Sequence, residues 1–147
     1  MLYLEELKPG DAFVTGTQAV TAAEIIAFGR QYDPQAFHVD PVAAQKTPFG
    51  QLVASGWHTA AMSMRLMVGS MLGHEGGVIG QGVDDLRWPR PVLPGDVLRV
   101  EMTVVEIGPE PSRTGRGKVR LRCHTLNQHG HVVQEMTARL LVPRRRT

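Results

Sequence analysis

An aspartate and a histidine, Asp33 and His38, lie five positions apart in this chain, with Pro34 between them. A carboxylate and an imidazole that meet in an apolar pocket are the smallest side-chain pair able to hold and activate one water molecule. Residues at this spacing lie on different faces of an α-helix, and Pro34 disfavours the helical conformation for the residue before it. The sequence therefore predicts a loop that folds back on itself and brings Asp33 and His38 together.

A second aspartate, Asp40, follows the pair directly, and its neighbour indicates a different role for it. Asp40 precedes Pro41, and an aspartate N-cap with proline at the first helical position is a common start of a helix. The sequence therefore predicts a short helix over about residues 41–46. Because Asp40 is used as a cap, Asp33 is the better candidate for chemistry.

Two further helices are predicted around this segment. Thr21 and Glu24 have the spacing of a capping box, which opens a helix that ends at the Asp33-Pro34 break. The longest predicted helix covers about residues 55–72, and Arg65 is its single charged residue. Since apolar residues cover nearly its whole circumference, we expect this helix to be wrapped by other structure.

The start of the long helix has the features of a ligand site. Ser55 is a typical N-cap, and Gly56 has no side chain, so that a ligand oxygen could approach its backbone N–H. The helix dipole adds a partial positive charge at the same place, which describes an oxyanion hole. The same N–H could instead be satisfied by the Ser55 hydroxyl or by water. Local chemistry leaves both interpretations open.

The remainder of the chain is predicted to be extended. Runs rich in β-branched residues, separated by turn signals, cover residues 83–88, 97–107, 118–126 and 131–142, and a further strand is expected near 12–19. The short connections predict an antiparallel meander. The fold class is therefore α+β: a single domain over 1–147, in which about five or six antiparallel strands curl around a long central helix. Its core is expected over about 7–142, followed by a basic tail over 143–147.

Composition excludes several classes of function. The chain has 147 residues and a net charge of +2, and the three arginines at 144–146 are most simply a solvated tail, so we expect no nucleic-acid partner. Cys123 is the only cysteine, which rules out an internal disulfide and fits a reducing compartment. The acidic N-terminus has no signal-peptide pattern and no apolar run approaches the length of a membrane span. We therefore expect a cytoplasmic protein with no membrane partner.

A metal site is not expected either. His124, His129 and His131 cluster at a predicted hairpin, but no thiolate or carboxylate stands at ligand spacing beside them. His58, one turn into the long helix, is expected to be packed or hydrogen-bonded rather than catalytic.

Three motifs occur in order along the chain and together resemble a known family. The motifs are Asp33-x4-His38-x-Asp40-Pro41, then Phe49-Gly50-x5-Ser55-Gly56-Trp57-His58, then Leu86-Arg87-Trp88-Pro89-Arg90-Pro91-Val92-x-Pro94-Gly95-Asp96. They are similar to those of the MaoC-like, (R)-specific enoyl-CoA hydratase family of hot-dog proteins, and the match covers about residues 7–142. The hot-dog fold is a curved antiparallel sheet around a central helix, which the sequence pattern predicts independently.

The resemblance implies a hydro-lyase that reversibly adds water to a trans-2-enoyl thioester and forms a 3-hydroxyacyl thioester, usually of R configuration. In this family the residues matching Asp33 and His38 hold the catalytic water, and the backbone amide matching Gly56 receives the thioester oxygen. Ser55, Trp57 and His58 are expected to contact the substrate. No cofactor is expected besides coenzyme A as part of an acyl-CoA substrate. Hot-dog proteins typically pair their sheets, so a homodimer or higher homo-oligomer is expected.

The chain also departs from the family pattern. The better-known members have Asn-Pro after the aspartate and His-Gly at the helix start, whereas this chain has Pro34-Gln35 and Ser55-Gly56. A hot-dog acyl-CoA thioesterase and a non-catalytic acyl-thioester binding protein are the two alternative functions. The candidates for binding the coenzyme A phosphates are the arginines Arg65, Arg87, Arg90, Arg113 and Arg116.

Overall fold

The computed structural model describes residues 2–70, 72, 76–111 and 115–145. After a short 3-10 turn at Leu4–Glu6, two short strands precede four helices, and four longer strands complete the chain. In chain order these are β1 (Ala12–Val14), β2 (Gln18–Ala19), α1 (Ala22–Tyr32), α2 (Ala36–Val39), α3 (Pro41–Ala44), α4 (Gly56–Val68), β3 (Ile79–Arg87), β4 (Val97–Pro111), β5 (Arg116–Leu126) and β6 (Val132–Pro143). The predicted combination of an antiparallel sheet with one long helix is confirmed.

The N-caps predicted at Thr21 and Asp40 are confirmed. At the start of α1 the Thr21 hydroxyl accepts the Glu24 N–H at 3.2 Å. At the start of α3, Oδ1 of Asp40 accepts the N–H groups of Val42 and Ala43 at 2.9 and 3.1 Å. Each bond satisfies a backbone donor that the helix itself leaves without a partner. Asp40 is therefore occupied locally, as predicted.

The sheet has the order β1-β4-β5-β6-β3, and β2 also pairs with β4. Strands β4, β5 and β6 form the predicted meander, but the prediction is wrong for β3, which lies beside β6 at the far edge. The proline-rich connection after β3 explains only why β3 and β4 do not form a hairpin, since Pro89, Pro91 and Pro94 have no N–H to donate to a ladder. This connection passes instead beside the approach to α4, where the Val92 carbonyl accepts the Ala54 N–H at 2.9 Å.

The predicted single strand over residues 12–19 is two strands. Between β1 and β2, the Thr15 N–H donates to the Val100 carbonyl at 3.0 Å, and the Thr15 hydroxyl accepts the Val100 N–H at 2.9 Å. A side chain here replaces one bond of the β-ladder. The chain can therefore turn at Gly16 without leaving a buried donor of β4 unpaired.

The core lies on one face of the sheet. Along β5 the side chains alternate, with Val119, Leu121 and Cys123 buried. The strand register sets Cys123 opposite Met102 of β4 and Met136 of β6, so that three buried side chains form a row across the sheet. Helix α4 packs against β4 and β6 and covers this face. The core thereby fixes the position of the central helix.

One face of α4 is exposed to solvent in the single chain. The expectation that other structure wraps this helix is therefore met on only part of its surface. Trp57, Met64 and Val68 are exposed, while Met62 and Met67 are buried against the sheet. The helix also ends at Val68, a turn before the predicted boundary, with Gly69 as its C-cap.

The chain ends are tied together. Arg144 lies 3.9 Å from Glu5, and Arg145 lies 2.6 Å from Glu6, so these two arginines of the expected solvated tail form ion pairs while their side chains stay exposed. These pairs are exposed, and such pairs contribute little to stability. Residues 146–147 of the predicted tail lie outside the described residues. Leu4 is buried in the hydrophobic core.

None of the helices in the described ranges combines the length and the apolar character that crossing a bilayer requires.

Candidate active site

Asp33 is positioned by the end of α1. Its backbone leaves the helical region, with φ −150° and ψ 69°, as expected for a residue that precedes a proline. Its N–H still donates to the Gly29 carbonyl at 2.9 Å, which anchors it to the last turn of the helix. The Asp33 side chain is 22% exposed and leads away from α1 towards the start of α4.

His38 lies in α2, a helix of one turn, whereas the sequence predicted an irregular loop. Helix α2 packs against α1 where Gly29 is buried, and a methyl group at Gly29 would lie 2.8 Å from the His38 carbonyl oxygen. The His38 ring is buried, and its Nδ1 lies 2.7 Å from the Val53 carbonyl oxygen. Since a carbonyl can only accept, Nδ1 carries the hydrogen of this bond. The ring orientation is thereby fixed.

Asp33 and His38 meet, as the spacing predicted. Oδ2 of Asp33 lies 3.2 Å from Nε2 of His38. With a hydrogen on Nδ1, a neutral His38 would present a lone pair to the carboxylate, and two acceptors do not bind each other. The two atoms can therefore form a direct hydrogen bond only when Nε2 carries a proton. This arrangement can take up and return one proton.

Two donors hold the Asp33 carboxylate. Gln35 Nε2 donates to Oδ1 at 2.7 Å, and the Ser55 hydroxyl donates to Oδ2 at 2.8 Å. Partial burial raises the pKa of the Asp33 carboxyl, but the bonds from Gln35 and Ser55 and the charge of His38 together outweigh it and hold this pKa below its ordinary value. Asp33 is therefore ionised at neutral pH and acts as a hydrogen-bond acceptor.

The start of α4 adjoins the Asp33–His38 pair through Ser55. Ser55 caps the helix by accepting the Trp57 N–H at 3.3 Å while donating to Asp33. Its hydroxyl therefore does not satisfy the Gly56 N–H, one of the two interpretations that the sequence left open. Gly56 is the first residue of α4, and none of the described residues accepts its N–H. This amide is free to bind a ligand oxygen or water.

The other two predicted substrate contacts have different environments. Trp57 is 60% exposed, and its ring packs edge-on against Trp88 at 5.3 Å between ring centroids. His58 is 7% exposed and stacks on Phe28 at 4.8 Å. Burial lowers the pKa of His58, which the charge of Glu24 opposes only in part, and His58 Nδ1 has no partner among the described residues. His58 is packed, as expected, but it is not hydrogen-bonded at Nδ1.

Several residues of this region were not predicted. Gln35 was noted only as a departure from the family pattern, although its amide is a direct donor to Asp33. Trp88 was quoted within a motif without a role, although its ring lies against Gly56. Among the described residues, six aromatic side chains join in ring contacts with one another or with His38 and His58, and these are Phe28, Tyr32, Phe37, Phe49, Trp57 and Trp88. In a chain with few aromatic residues, this concentration would have been a usable signal.

One cavity lies away from the Asp33–His38 pair. It has a volume of about 320 Å³ and lies between the β1–β2 connection, the start of α1 and the last turns of α4. Glu24 and Arg65 supply its charged side chains. A thioester pocket between the pair and Gly56 thus remains a prediction.

The candidate phosphate-binding arginines differ in availability. Arg116 donates to the carbonyl groups of Gly76 and Gly77, so its guanidinium is already used. Arg87 lies 3.9 Å from Asp85 and 4.0 Å from Glu135. Arg65 lines the cavity, and Arg90 is exposed in the connection after β3. Arg113 lies outside the described residues.

Among the residues that the structure describes, no three histidine, cysteine, aspartate or glutamate side chains gather in the geometry of a metal site. His124 instead lies 3.9 Å from Glu135, and His129 contacts His131 ring to ring.

Comparison with known proteins gives consistent matches. The family model described as MaoC like domain matches residues 6–124. The crystal structure of a MaoC-like dehydratase from Rhodospirillum rubrum is 50% identical in sequence, with a TM-score of 0.93 over 100% of both chains. The R-hydratase PhaJ1 from Pseudomonas aeruginosa is 27% identical, with a TM-score of 0.80 over 97% of this chain and 86% of its own. A 3-hydroxybutyryl-CoA dehydratase from Methylorubrum extorquens is 29% identical over 99% of this chain and 87% of its own length. These likenesses confirm the predicted hot-dog fold.

Proposed function

Because this chain belongs to the MaoC-like family of hydratases and dehydratases, we propose that it reversibly hydrates a trans-2-enoyl-CoA to a 3-hydroxyacyl-CoA. The similar proteins include one named as an R-hydratase and one named as a 3-hydroxybutyryl-CoA dehydratase. Both names fit this reaction, because a hydratase adds water to the double bond and a dehydratase catalyses the reverse step. We propose the R configuration for the product from the first of these names.

The observation that carries the proposal is the hydrogen bond between Ser55 and Asp33, at 2.8 Å. It connects the water-activating pair to the start of α4, where the Gly56 N–H has no acceptor among the described residues. In this proposal the pair is the base and the Gly56 N–H is the oxyanion donor, and the Ser55 side chain links them. This is the combination that hydration of an enoyl thioester needs.

Each step of the reaction has a group to perform it. The Asp33–His38 pair removes a proton from a bound water, whose oxygen bonds to C3 while the C2–C3 π electrons move towards the thioester oxygen. The Gly56 N–H donates to that oxygen and stabilises the enolate, an effect that the α4 dipole strengthens. The pair then returns the proton to C2 as the carbonyl reforms. Water is added across the double bond, and no other reactant is consumed.

We also propose that the protein acts as a homodimer, joined along the edge formed by β3. Within the described residues β3 pairs with β6 on one side and has no strand on the other, and a free edge of this length invites pairing. Ile79 and Val83 of this strand are exposed, and so is one face of α4. A second copy would bury these apolar side chains.

The reaction is tested by mixing the full chain with crotonyl-CoA and following the absorbance of the enoyl group. We expect loss of that absorbance, and dehydrogenases specific for R or S 3-hydroxyacyl-CoA, coupled to the reaction, report the configuration. No loss with crotonyl, hexenoyl and octenoyl thioesters would contradict the proposal. Release of free thiol in step with the loss of absorbance, and from saturated butyryl-CoA as well, would indicate the thioesterase alternative, because hydrolysis of the thioester also removes this absorbance. Binding with neither loss of absorbance nor release of thiol would indicate a non-catalytic role.

A further inference from the structure

The indole of Trp88 lies directly against Gly56. A methyl group added to Gly56 would lie 2.6 Å from two atoms of the indole and 2.9 Å from a third, which is far inside van der Waals contact. The ring therefore leaves no room for a side chain at this position. The contact brings the connection after β3 to the first residue of α4.

Two contacts keep the indole in place besides Gly56. Its Nε1–H donates to Oε1 of Gln134 at 2.9 Å, and Gln134 is itself 1% exposed. The Trp57 ring meets it nearly at right angles, with 5.3 Å between centroids. A side chain held by a buried hydrogen bond and packed on two sides has little freedom to move away when a ligand binds. Trp88 nevertheless remains 39% exposed, so part of its ring faces open space.

Trp88 lies at the same end of α4 as the free amide. In an α-helix the Cα–Cβ bond tilts towards the N-terminus, and the N–H groups point in the same direction. A group that lies where the Gly56 side chain would be is therefore a neighbour of anything bound to the Gly56 N–H. Trp88 lies at that place.

We infer that Trp88 is a specificity-determining residue, the wall against which the acyl group packs when the thioester oxygen binds to Gly56, and that it limits the size of a substituent at C2. The inference rests on the proposed function. When the carbonyl oxygen accepts the Gly56 N–H, the atoms next to it are C2 and the thioester sulfur. The acyl carbons are the apolar side of the thioester, whereas the arm beyond the sulfur carries amide groups. An indole therefore suits the acyl side.

The test compares two substrates that differ by one methyl group at C2, crotonyl-CoA and trans-2-methylcrotonyl-CoA, with the wild-type chain and with Trp88→Phe and Trp88→Leu. We expect Trp88→Leu to raise the ratio of kcat/KM for the branched over the unbranched substrate about tenfold or more, the usual scale for one methyl group in an apolar pocket. Trp88→Phe should give an intermediate ratio. A ratio within about twofold of wild type in either folded variant, or equal losses for both substrates, would overturn the inference.

Trp57→Leu is the matched control. Trp57 is the other tryptophan of the pair, and its exposed indole does not lie against Gly56. We expect it to change the substrate ratio less than Trp88→Leu does. An equal or larger change in Trp57→Leu would assign the wall to Trp57 and overturn the role of Trp88.

A binding measurement separates this inference from the reaction itself. The chain has two tryptophans, so Trp57→Phe leaves Trp88 as the single indole and makes its fluorescence a reporter. We expect butyryl-CoA, which has no double bond to hydrate, to change the emission more than coenzyme A alone does. If the wild-type chain hydrates no enoyl-CoA, the proposed reaction fails, but this response would still support an acyl group against Trp88. Emission that responds equally to butyryl-CoA and coenzyme A, or to neither, would overturn the inference.

Discussion

The Ser55 hydroxyl donates a hydrogen bond of 2.8 Å to Oδ2 of Asp33, a residue 22 positions earlier in the chain. The same hydroxyl oxygen accepts the Trp57 N–H, so that one side chain caps α4 and holds the carboxylate. The position of Asp33 relative to the helix start is therefore set by a direct bond.

Replacing Ser55 by alanine should weaken catalysis and change its pH dependence. A hydrogen bond to a charged group contributes about 1.5–3 kcal/mol, so we expect kcat/KM to fall roughly tenfold to a hundredfold. Loss of a donor to the carboxylate also moves the pKa of Asp33 upwards, and the acid limb of the kcat/KM profile should move to higher pH with it. Ser55→Thr keeps the hydroxyl and is the control. An acid limb at the same pH in Ser55→Ala and wild type would contradict the role of this bond.

The same pKa shift affects stability in acid. The pKa of Asp33 is lower in the folded chain than in the unfolded one, so the folded state binds the proton less readily. The resulting contribution to stability is fully present above the unfolded pKa of about 3.9 and is lost as the pH falls through the lower folded value. We expect the stability difference between wild type and Ser55→Ala, measured by urea unfolding, to shrink below about pH 4. A difference that is constant from pH 7 to pH 3 would contradict this linkage.

Replacing either member of the Asp33–His38 pair should abolish most of the activity. Asp33→Asn cannot accept a proton from water, and His38→Gln cannot exchange one, so each should lower turnover at least about a hundredfold. Thermal unfolding measured by circular dichroism checks that both variants fold. Asp40→Asn is the matched control, because Asp40 caps α3 and asparagine is an equally good N-cap. Near-normal turnover in a folded Asp33→Asn would exclude the proposed role.

The local parts of this structure were predictable from the sequence. The caps at Thr21 and Asp40 depend on residues within three positions of them, and both were predicted correctly. The meeting of Asp33 and His38 followed in the same way from Pro34 and the spacing, although α2 was not foreseen. Contacts between residues that are close in the sequence can therefore be predicted from the sequence alone.

The remaining parts depend on the path of the chain through space. The position of β3 beside β6 follows from the whole sheet, and no residue of β3 specifies it. The contact of Trp88 with Gly56 and the bond from Gln35 to Asp33 likewise required the positions of separate side chains. Such contacts become predictable only after the topology is known.

A methyl group at Gly56 should harm the protein even though it leaves the backbone N–H in place. In Gly56→Ala the new carbon would collide with the Trp88 indole, and overpacking of this kind costs about 1–3 kcal/mol. We expect a lower Tm and reduced turnover, and partial recovery of stability in the double variant with Trp88→Leu, since the smaller side chain leaves room. Gly16→Ala is the control, because nothing lies within 4 Å of the added carbon there. Additive losses in the double variant would show that the two residues do not interact.

Cys123 should be unreactive in the folded protein. It is 2% exposed, and burial raises the pKa of its thiol to about 12, so the reactive thiolate is absent at neutral pH. We expect no reaction with Ellman's reagent at pH 8 in buffer and one thiol per chain in guanidinium chloride. Rapid labelling of the native protein would show that β5 opens readily. The result also matters for thiol-release assays, in which Cys123 should add no background.

The proposed dimer is tested at Val83 in the edge strand. Val83 lies opposite Ala138 in the register of β3 with β6, and directly opposed residues share a face of the sheet. Ala138 is buried on the core side, whereas Val83 on the same side is 47% exposed, as expected of a position that a second copy covers. A lysine there would place a charge in the interface, so Val83→Lys should raise the dimer Kd at least about tenfold, measured by sedimentation equilibrium.

Val105→Lys is the matched control for this variant, because Val105 is exposed to a similar extent, 45%, but lies in β4, which has strand neighbours on both sides. We expect it to leave the dimer Kd within about twofold of wild type. Equal weakening in both variants would place the interface elsewhere, and a wild-type chain that remains monomeric at micromolar concentration would rule out the β3 edge as a stable contact. If turnover and dimerisation both fall in Val83→Lys but not in Val105→Lys, the activity of the site requires the second copy.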